Sequence, residues 1–493
     1  MTEQNHTTPQ LPVTPQVVPQ RKPWTVEKKE RRLLPLALAL AFLAVSLLLD
    51  NPAGGRWMWL PGFGVTAMAA GWYAVLFLYR GTSGMEKRVN QILMAAVTLL
   101  SLTFTLFSNQ WFRFWNCGAL ILLVAVHTWE LCGGTRFPWH SAGMLFERMR
   151  LLIQGPFVRC GAMLDTVKAL RGGKHVTRWI PAAVGAAVTL PALWLVASVL
   201  MDADPLFALV AGNALAELEY SLGEAFIRLA MTVCAVPFVF SLLYYAAHTE
   251  QTEKQSRTRK RFDSLPAVML LGALDGLYLF FLAVQSTALF GGREYLRQAG
   301  ISFAEYARSG FFQLVGLAGL NAAVILTALW VCQEDRRIQV LATVLVGLTG
   351  VLLVSAGWRM TLYAAAYGLS FRRILTYWGM GMLAILLALT VRKIWRKDFQ
   401  FFRTAAPVAL AGWLLLNYCN VDALAARYNS ARTAAGSLPQ SAVDGLLTSF
   451  SYDGLEFLGD TGDSSLTWLR ENAAEDCRNW TTWSVSAWRA ARR

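Results

Sequence analysis

The sequence predicts an all-α polytopic transmembrane helix bundle that crosses a bilayer about eleven times (roughly ten to twelve), and three observations carry that prediction. Of the 493 residues, 55% are hydrophobic and only 15% charged, where a soluble domain carries about 25% charged residues. The apolar residues arrive in blocks of roughly 20, the length that crosses a ~30 Å hydrocarbon layer as a helix. The polar segments between blocks alternate, one basic and the next neutral or acidic. A soluble chain of this length would instead divide into two or three domains with polar surfaces.

The elements follow in order. Residues 1–32 are rich in Pro, Gln and Thr and close on the basic run RKPWTVEKKERR. So little apolar surface predicts a disordered cytoplasmic tail. The first apolar run, 33–49, lies too deep in the chain and is too long for a signal peptide. No small-x-small cleavage site follows it, so it reads as an anchor helix. Spans are predicted near 58–79, 89–107 and 111–132, which gives 33–132 four crossings.

Segment 133–178 is a basic amphipathic cytoplasmic connection. Within it SAGMLFERMRLLIQGPFVRCGAMLDTVKAL (142–171) spaces apolar residues by three and four, with Arg148, Arg150, Arg159 and Lys168 between them. Pro156 divides it into two short helices. Such an element suits the anionic inner leaflet; the alternative is a helical hairpin packed on the bundle.

Region 179–417 supplies seven more spans, near 179–200, 226–246, 265–290, 310–332, 338–357, 374–391 and 399–417. The string WRMTLYAAAYGLSFRR (358–373) reads as an outer loop or as one bent helix end. Residues 418–493 drop in hydropathy, contain the turn-rich DGLEFLGDTGDSS and end in a stretch with Trp468, Trp480, Trp483 and Trp488. They read as a small, mainly helical extracytoplasmic cap.

Charge sets the orientation. The formal net charge is +14, and the Lys and Arg gather in RGTSGMEKR, segment 133–178, HTEQTEKQSRTRKRF, QEDRR and RKIWRKD. All of these fall on one side if the tail starts inside. The predicted outer loop 201–225 has no Lys or Arg but carries Asp202, Asp204, Glu217, Glu219 and Glu224. This positive-inside bias places the N-terminus in the cytoplasm and the C-terminal segment outside. The basic balance therefore orients the chain, and no nucleic-acid-binding motif accompanies it. Trp111, Trp115, Trp179, Tyr244, Tyr245, Trp330 and Tyr418 mark span ends, where amphipathic rings suit the headgroup layer.

Few residues offer chemistry. There are seven cysteines and no CxxC, so neither a zinc knuckle nor a redox pair is indicated. Cys419 and Cys477 both fall outside the bilayer, and a disulfide between them is left open. Asp275, in LLGALDGLYLFF, sits mid-span, where an ionisable group is costly and a functional candidate. It is a proton or cation site, or a hydrogen bond to a neighbouring helix. His127 and Glu130 share a helix face, but a metal site needs three or four ligands. In DADP, Asp202 and Asp204 are either divalent-cation ligands or a helix cap ahead of Pro205. Walker, GxSxG and HExxH motifs are absent. No cofactor is expected.

Several strings carry a resemblance. ISFAEYARSGFFQLVGLAGLN (301–321) is similar to the EYAR-x-GFFQL signature of a bacterial multi-pass family catalogued as a domain of unknown function, the DUF4173/DUF4153 group. MDADPLFA (201–208), VQSTALFGG (284–292), YGLSFRRILT (367–376) and NVDALAARYN (420–429) resemble its other elements, in family order. Ser309 and Ser370 replace the residues expected there. The resemblance implies a bacterial cytoplasmic-membrane protein and no particular activity. In the predicted topology every string lies on the outer side. Glu305, Tyr306, Arg308, Arg372, Arg373, Asn420, Asp422, Arg427 and Asn429 then form one polar cluster, either a binding site or a lock on the outer helix ends.

Three functions fit. The first is a transporter or permease-like bundle, or an accessory part of one. The absence of an obvious internal repeat counts mildly against it. The second is a sensor that reads an outside ligand and signals through the basic inner loops. The third is an enzyme acting on a lipid-linked substrate, with Asp202, Asp204 and Glu305 around a metal.

Overall fold

The structure, a computed structural model, describes residues 28–50, 60–132, 152–171, 205–247, 262–290, 311–396, 398–444, 446, 451–458 and 464–492, with isolated residues 149, 189, 196 and 203. The predicted span 179–200 and the candidates Asp202, Asp204, Glu305, Tyr306 and Arg308 lie outside the described residues. Every regular element described is helical, beside one isolated parallel bridge between Phe262 and Cys332.

The helices are α1 (Lys28–Leu49), α2 (Phe63–Arg80), α3 (Arg88–Leu106), α4 (Gln110–Cys132), α5 (Cys160–Arg171), α6 (Pro205–Ala247), α7 (Leu265–Phe290), α8 (Phe311–Val331), α9 (Arg336–Tyr367), α10 (Phe371–Trp395), α11 (Phe401–Tyr418), α12 (Val421–Ala434), α13 (Ser441–Asp444), α14 (Ser464–Arg478) and α15 (Val485–Ala491). Among the described residues seven helices are long and apolar enough to cross a membrane: α1, α3, α4, α7, α9, α10 and the Glu224–Ala247 part of α6. The pair α11–α12, bent by 51°, makes an eighth if it is one span. Gly316–Val331 of α8 is apolar but shorter.

Two helical groups form the bundle. In the first, α1 lies along α6 and α2, and α3 packs on α2 and α4. Leu33, Ala37, Leu40 and Ala41 of α1 recur at three and four. They meet Val236, Phe240, Leu243 and Tyr244 of α6, the stripe a packed helix needs. α1 is already helical at Lys28, inside the stretch read as a tail. In the second group α9 is central, with α7, α8 and α10 against it. Leu271, Ile325, Ala342 and Leu345 are fully buried there. α11 bridges the groups by touching α3 and α10. Outward faces keep large apolar side chains exposed, such as Phe42, Leu78, Met269, Phe280 and Val354. Only an apolar surrounding makes so many of them stable.

Three local readings change. The acidic outer loop expected at 201–225 is helical from Pro205, because α6 runs unbroken for 43 residues. Ala, Leu and Glu dominate that stretch, and they are helix formers whatever their charge. The string WRMTLYAAAYGLSFRR is both helix and turn: α9 continues to Tyr367, and Gly368 at φ 75° reverses the chain into α10. The 142–171 element breaks at Arg159, not at Pro156, since 152–158 are helical through the proline. Its described part docks on α6, where Ser241 donates to the Gly155 carbonyl at 2.6 Å and accepts from the Arg159 amide at 2.9 Å.

The C-terminal residues form a cap with its own apolar core of Tyr452, Leu455, Leu458, Leu466, Leu469 and Ala473. Cys419 and Cys477 are free thiols, the first exposed and the second half-buried against that core.

Candidate functional site

Polar side chains concentrate in two places: the junction between cap and bundle, and the interior of the α7–α9 group.

The junction is built on the α3–α4 turn. A helix start leaves amide N–H groups without intrahelical partners. Asn109 caps α4 itself, its Oδ1 accepting from the Phe112 amide at 2.9 Å. The cap then supplies a carboxylate from more than three hundred residues away. Asp453 accepts from the Ser108 and Asn109 amides at 2.9 and 3.1 Å, and from the Ser108 and Ser451 hydroxyls at 3.1 and 3.0 Å. Ser486 donates to its other oxygen. A negative charge at a helix N-terminus is favourable there. Beside it Asp422 accepts from Asn109 Nδ2 at 2.7 Å. Burial, then the neighbouring Asp453 charge, pushes the Asp422 carboxyl up to about 6.

Arg113 is 3% exposed and feeds its guanidinium into the carbonyls of Leu60, Phe104 and Phe107. This satisfies the C-terminal carbonyls of α3. Deeper, Asn116 Nδ2 donates to Asn417 Oδ1 at 2.7 Å while Trp413 Nε1 donates to Asn116 Oδ1 at 2.7 Å, tying α4 to α11. The chain before α2 also docks on the cap: Gly62 and Gly64 donate to the Thr481 carbonyl, and Phe63 to that of Trp483. A Cβ at Gly62 would stand 2.3 Å from the Trp483 oxygen, so this approach requires glycine.

The sequence-predicted residues divide here. Asn429 is fully buried and closes the α9–α10 turn: it accepts from the Leu369 amide at 2.7 Å and donates to the Leu369 and Ala442 carbonyls at 2.8 and 2.9 Å. Arg373 donates to the Tyr367 and Gly368 carbonyls and lies over the Tyr363 ring. Asn420, at φ 45°, caps α12 by accepting from Ala423. Asp422 joins the Asp453 network. Arg372 and Arg427 are exposed and stay out of these bonds. The gathered residues thus lock helix ends together. The cavity beside them, lined by Asn420, Asp453, Arg470 and Arg489 among others, measures about 30 Å³, room for little more than a water.

The α7–α9 interior differs. Tyr278 donates to Asn321 Oδ1 at 3.1 Å, Asn321 Nδ2 donates to Thr349 Oγ1 at 2.9 Å, and Thr349 donates to the Leu345 carbonyl at 2.7 Å. This ladder crosses α7, α8 and α9. Asp275, one turn from Tyr278 on the same face, is 5% exposed. Among the described residues neither of its oxygens has a hydrogen-bond partner. It is the eleventh residue of α7, about 15 Å from the helix start, half the ~30 Å thickness of a hydrocarbon layer. A groove of about 370 Å³ between α7 and α8 includes Leu271, one turn before Asp275.

His127 is buried, with Nδ1 2.9 Å from the Tyr73 hydroxyl. Among the described residues no three His, Cys, Asp or Glu side chains converge as metal ligands. Sequence reasoning missed Asp453, Arg113 and the Asn321 ladder. Ser108–Asn109 ahead of an apolar run was a readable cap signal; the partner across the chain was not.

By class, this is an all-helical chain whose apolar helices fit an integral membrane protein, with a polar junction fastening a C-terminal cap to one end of the bundle. Residues 94–460 match the family model described as Domain of unknown function (DUF4153), so the chain belongs to that family. The matched range includes Asp275, Asp422 and Asp453 and ends before α14. No curated protein and no solved structure matches the chain.

Proposed function

We propose that this protein is a permease-like membrane bundle in which Asp275 is the ionisable group that couples the movement of an ion or ion-linked solute. One observation carries the reading. A carboxyl 5% exposed and without a hydrogen-bond partner among the described residues sits about 15 Å along an apolar helix long enough to cross a membrane. Folding rarely tolerates such a group unless its work requires it.

The reading takes the full chain as eleven crossings in a bacterial cytoplasmic membrane, N-terminus inside and cap outside. Basic side chains support that orientation, since Arg31, Arg32, Arg80, Lys87, Arg88, Arg336, Arg337, Arg392 and Lys393 all flank helix ends opposite the cap. In this reading the basic residues of segment 142–171, whose described part rests on α6, meet anionic inner-leaflet lipid. A sensory role would place a ligand at the cap junction, whose small, internally bonded cavity does not favour it.

The test is flux. The purified chain is reconstituted in vesicles holding a pH-sensitive dye, under an imposed potential, with and without a small-molecule extract of the host outside. Wild-type protein is expected to carry flux at least tenfold above Asp275→Asn at equal protein content. Equal flux in both proteins under both conditions overturns the reading. Orientation has its own check: an impermeant thiol reagent should reach Cys419 in intact cells, and labelling only after lysis places the cap inside.

A further inference from the structure

We infer that the ion at Asp275 is a proton, held by the carboxyl itself while α7 lies against α9. This deepens the permease-like reading and rests on it for its meaning as a coupling ion, although the binding can be tested apart from transport.

The geometry discriminates between a proton and a metal cation. A hard cation in a low-dielectric interior needs about six oxygen ligands to replace its water. The oxygens of the ladder that starts one turn away at Tyr278 already take part in bonds to one another. Asn321 Oδ1 accepts from Tyr278, and Thr349 Oγ1 accepts from Asn321 while donating to Leu345. Ser355 Oγ is buried and without a partner among the described residues, but it lies six residues past Thr349, about 9 Å along the axis. Among the described residues these side chains leave no cage for a metal. A proton needs none, because binding it turns the buried charge into a neutral acid.

The surrounding charges point the same way. On α7 the other titratable side chain is Tyr278, and α8 has none. On α9 they are Arg336 and Arg337 at its start and Arg359, Tyr363 and Tyr367 near its end. Arg359 is ten residues beyond Thr349, about 15 Å along the axis. On α10, which packs on α8 and α9, Arg372, Arg373, Arg392 and Lys393 flank the two ends and Tyr377 sits one turn in. Among the described residues no cation stands at the level of Asp275 to hold the carboxyl ionised.

Dicyclohexylcarbodiimide tests this on the whole protein, since this apolar reagent adds to a protonated carboxyl within an apolar phase. The purified wild-type chain in lipid–detergent micelles is treated across a pH series, with and without excess sodium, and the peptide bearing Asp275 is read by mass spectrometry. The expected result is an adduct on Asp275 that falls about tenfold per pH unit above its midpoint and is unchanged by sodium. Asp275→Glu should keep the adduct and Asp275→Asn should lose it. No adduct at any pH, or protection by sodium at constant pH, overturns the proton assignment. An adduct without Asp275-dependent flux removes the permease reading and leaves the proton site; flux without an adduct does the reverse.

Discussion

At the cap junction Asp453 is 7% exposed and accepts from five donors on three segments of the chain; in the bundle interior Asp275 is 5% exposed and, among the described residues, accepts from none. Burial is the same, and the surroundings are opposite. The α3–α4 turn and the cap are organised around a carboxylate whose charge is used up in holding them. The α7–α9 group spends its polar atoms on one another and leaves its carboxyl aside. A buried charge that is fully bonded is read as structure. One left unbonded beside a ladder whose polar groups bond one another is read as available for exchange.

The comparison breaks most easily at Asp453. Asp453→Ala leaves the Ser108 and Asn109 amides at the start of α4 without their acceptor. It is expected to weaken cap docking by ~3–5 kcal/mol. Cys477, half-buried against the cap core, reports this as thiol labelling roughly a hundredfold faster or more. Unchanged labelling would show that Asp453 does not hold the cap in place.

Asn429→Ala comes next. It removes three part-buried hydrogen bonds, made by a buried side chain, that close the α9–α10 turn on the cap. The expected loss is ~2–3 kcal/mol, seen as faster tryptic cleavage at the exposed Arg372. At Gly62→Ala the new Cβ meets the Trp483 and Thr482 carbonyl oxygens. About 1–3 kcal/mol should be lost locally, read as faster amide exchange over 60–66. If exchange there is unaltered, the strand-like docking on Thr481–Trp483 is not a fixed contact.

Much of this architecture was readable because a bilayer demands long apolar helices, and hydropathy finds them directly. Both ends of α3 and α10 and the starts of α4 and α7 fall within a few residues of the expected spans. What escaped depended on pairing. Ser108 and Asp453 are bonded across 345 positions, and no local pattern ties them. The α6 extension was hidden because acidic residues were read as a loop, although charge alone does not break a helix. Asp275 stood out for its place in an apolar run, but its isolation was legible only once Tyr278, Asn321 and Thr349 were seen to bond one another. Of the family-like strings, Asn420, Asp422, Asn429 and Arg373 join the junction, whereas Arg372 and Arg427 do not.

A smaller effect separates the two members of the junction pair. Asp422 is raised to about 6 by burial and by Asp453. Between the ordinary carboxylate range and that value the folded protein holds a proton the unfolded chain has released. Docking therefore strengthens as pH falls through about 6 and weakens as pH rises, by on the order of 1 kcal/mol per pH unit in that window. Cys477 labelling, corrected for thiol ionisation with a model peptide, should slow between about pH 6.5 and 5 in wild type. Asp422→Asn should flatten that slope. A slope of opposite sign would mean that the junction prefers Asp422 charged.

The smallest expected change is at Asp275, and there its smallness is the informative part. Asparagine matches the shape of a neutral carboxylic acid and removes the ionisation. If the folded state already holds Asp275 protonated, Asp275→Asn exchanges one neutral polar group for another, and stability shifts by less than about 1 kcal/mol. If instead a charged Asp275 were held by a partner, the same change would remove a charge-assisted bond and cost ~3–5 kcal/mol, as at Asp453. Thermal unfolding of the two variants, Asp275→Asn and Asp453→Asn, in the same detergent separates these cases. A near-neutral first variant beside a strongly destabilised second keeps the contrast. Equal destabilisation would make Asp275 one more structural bond of the bundle.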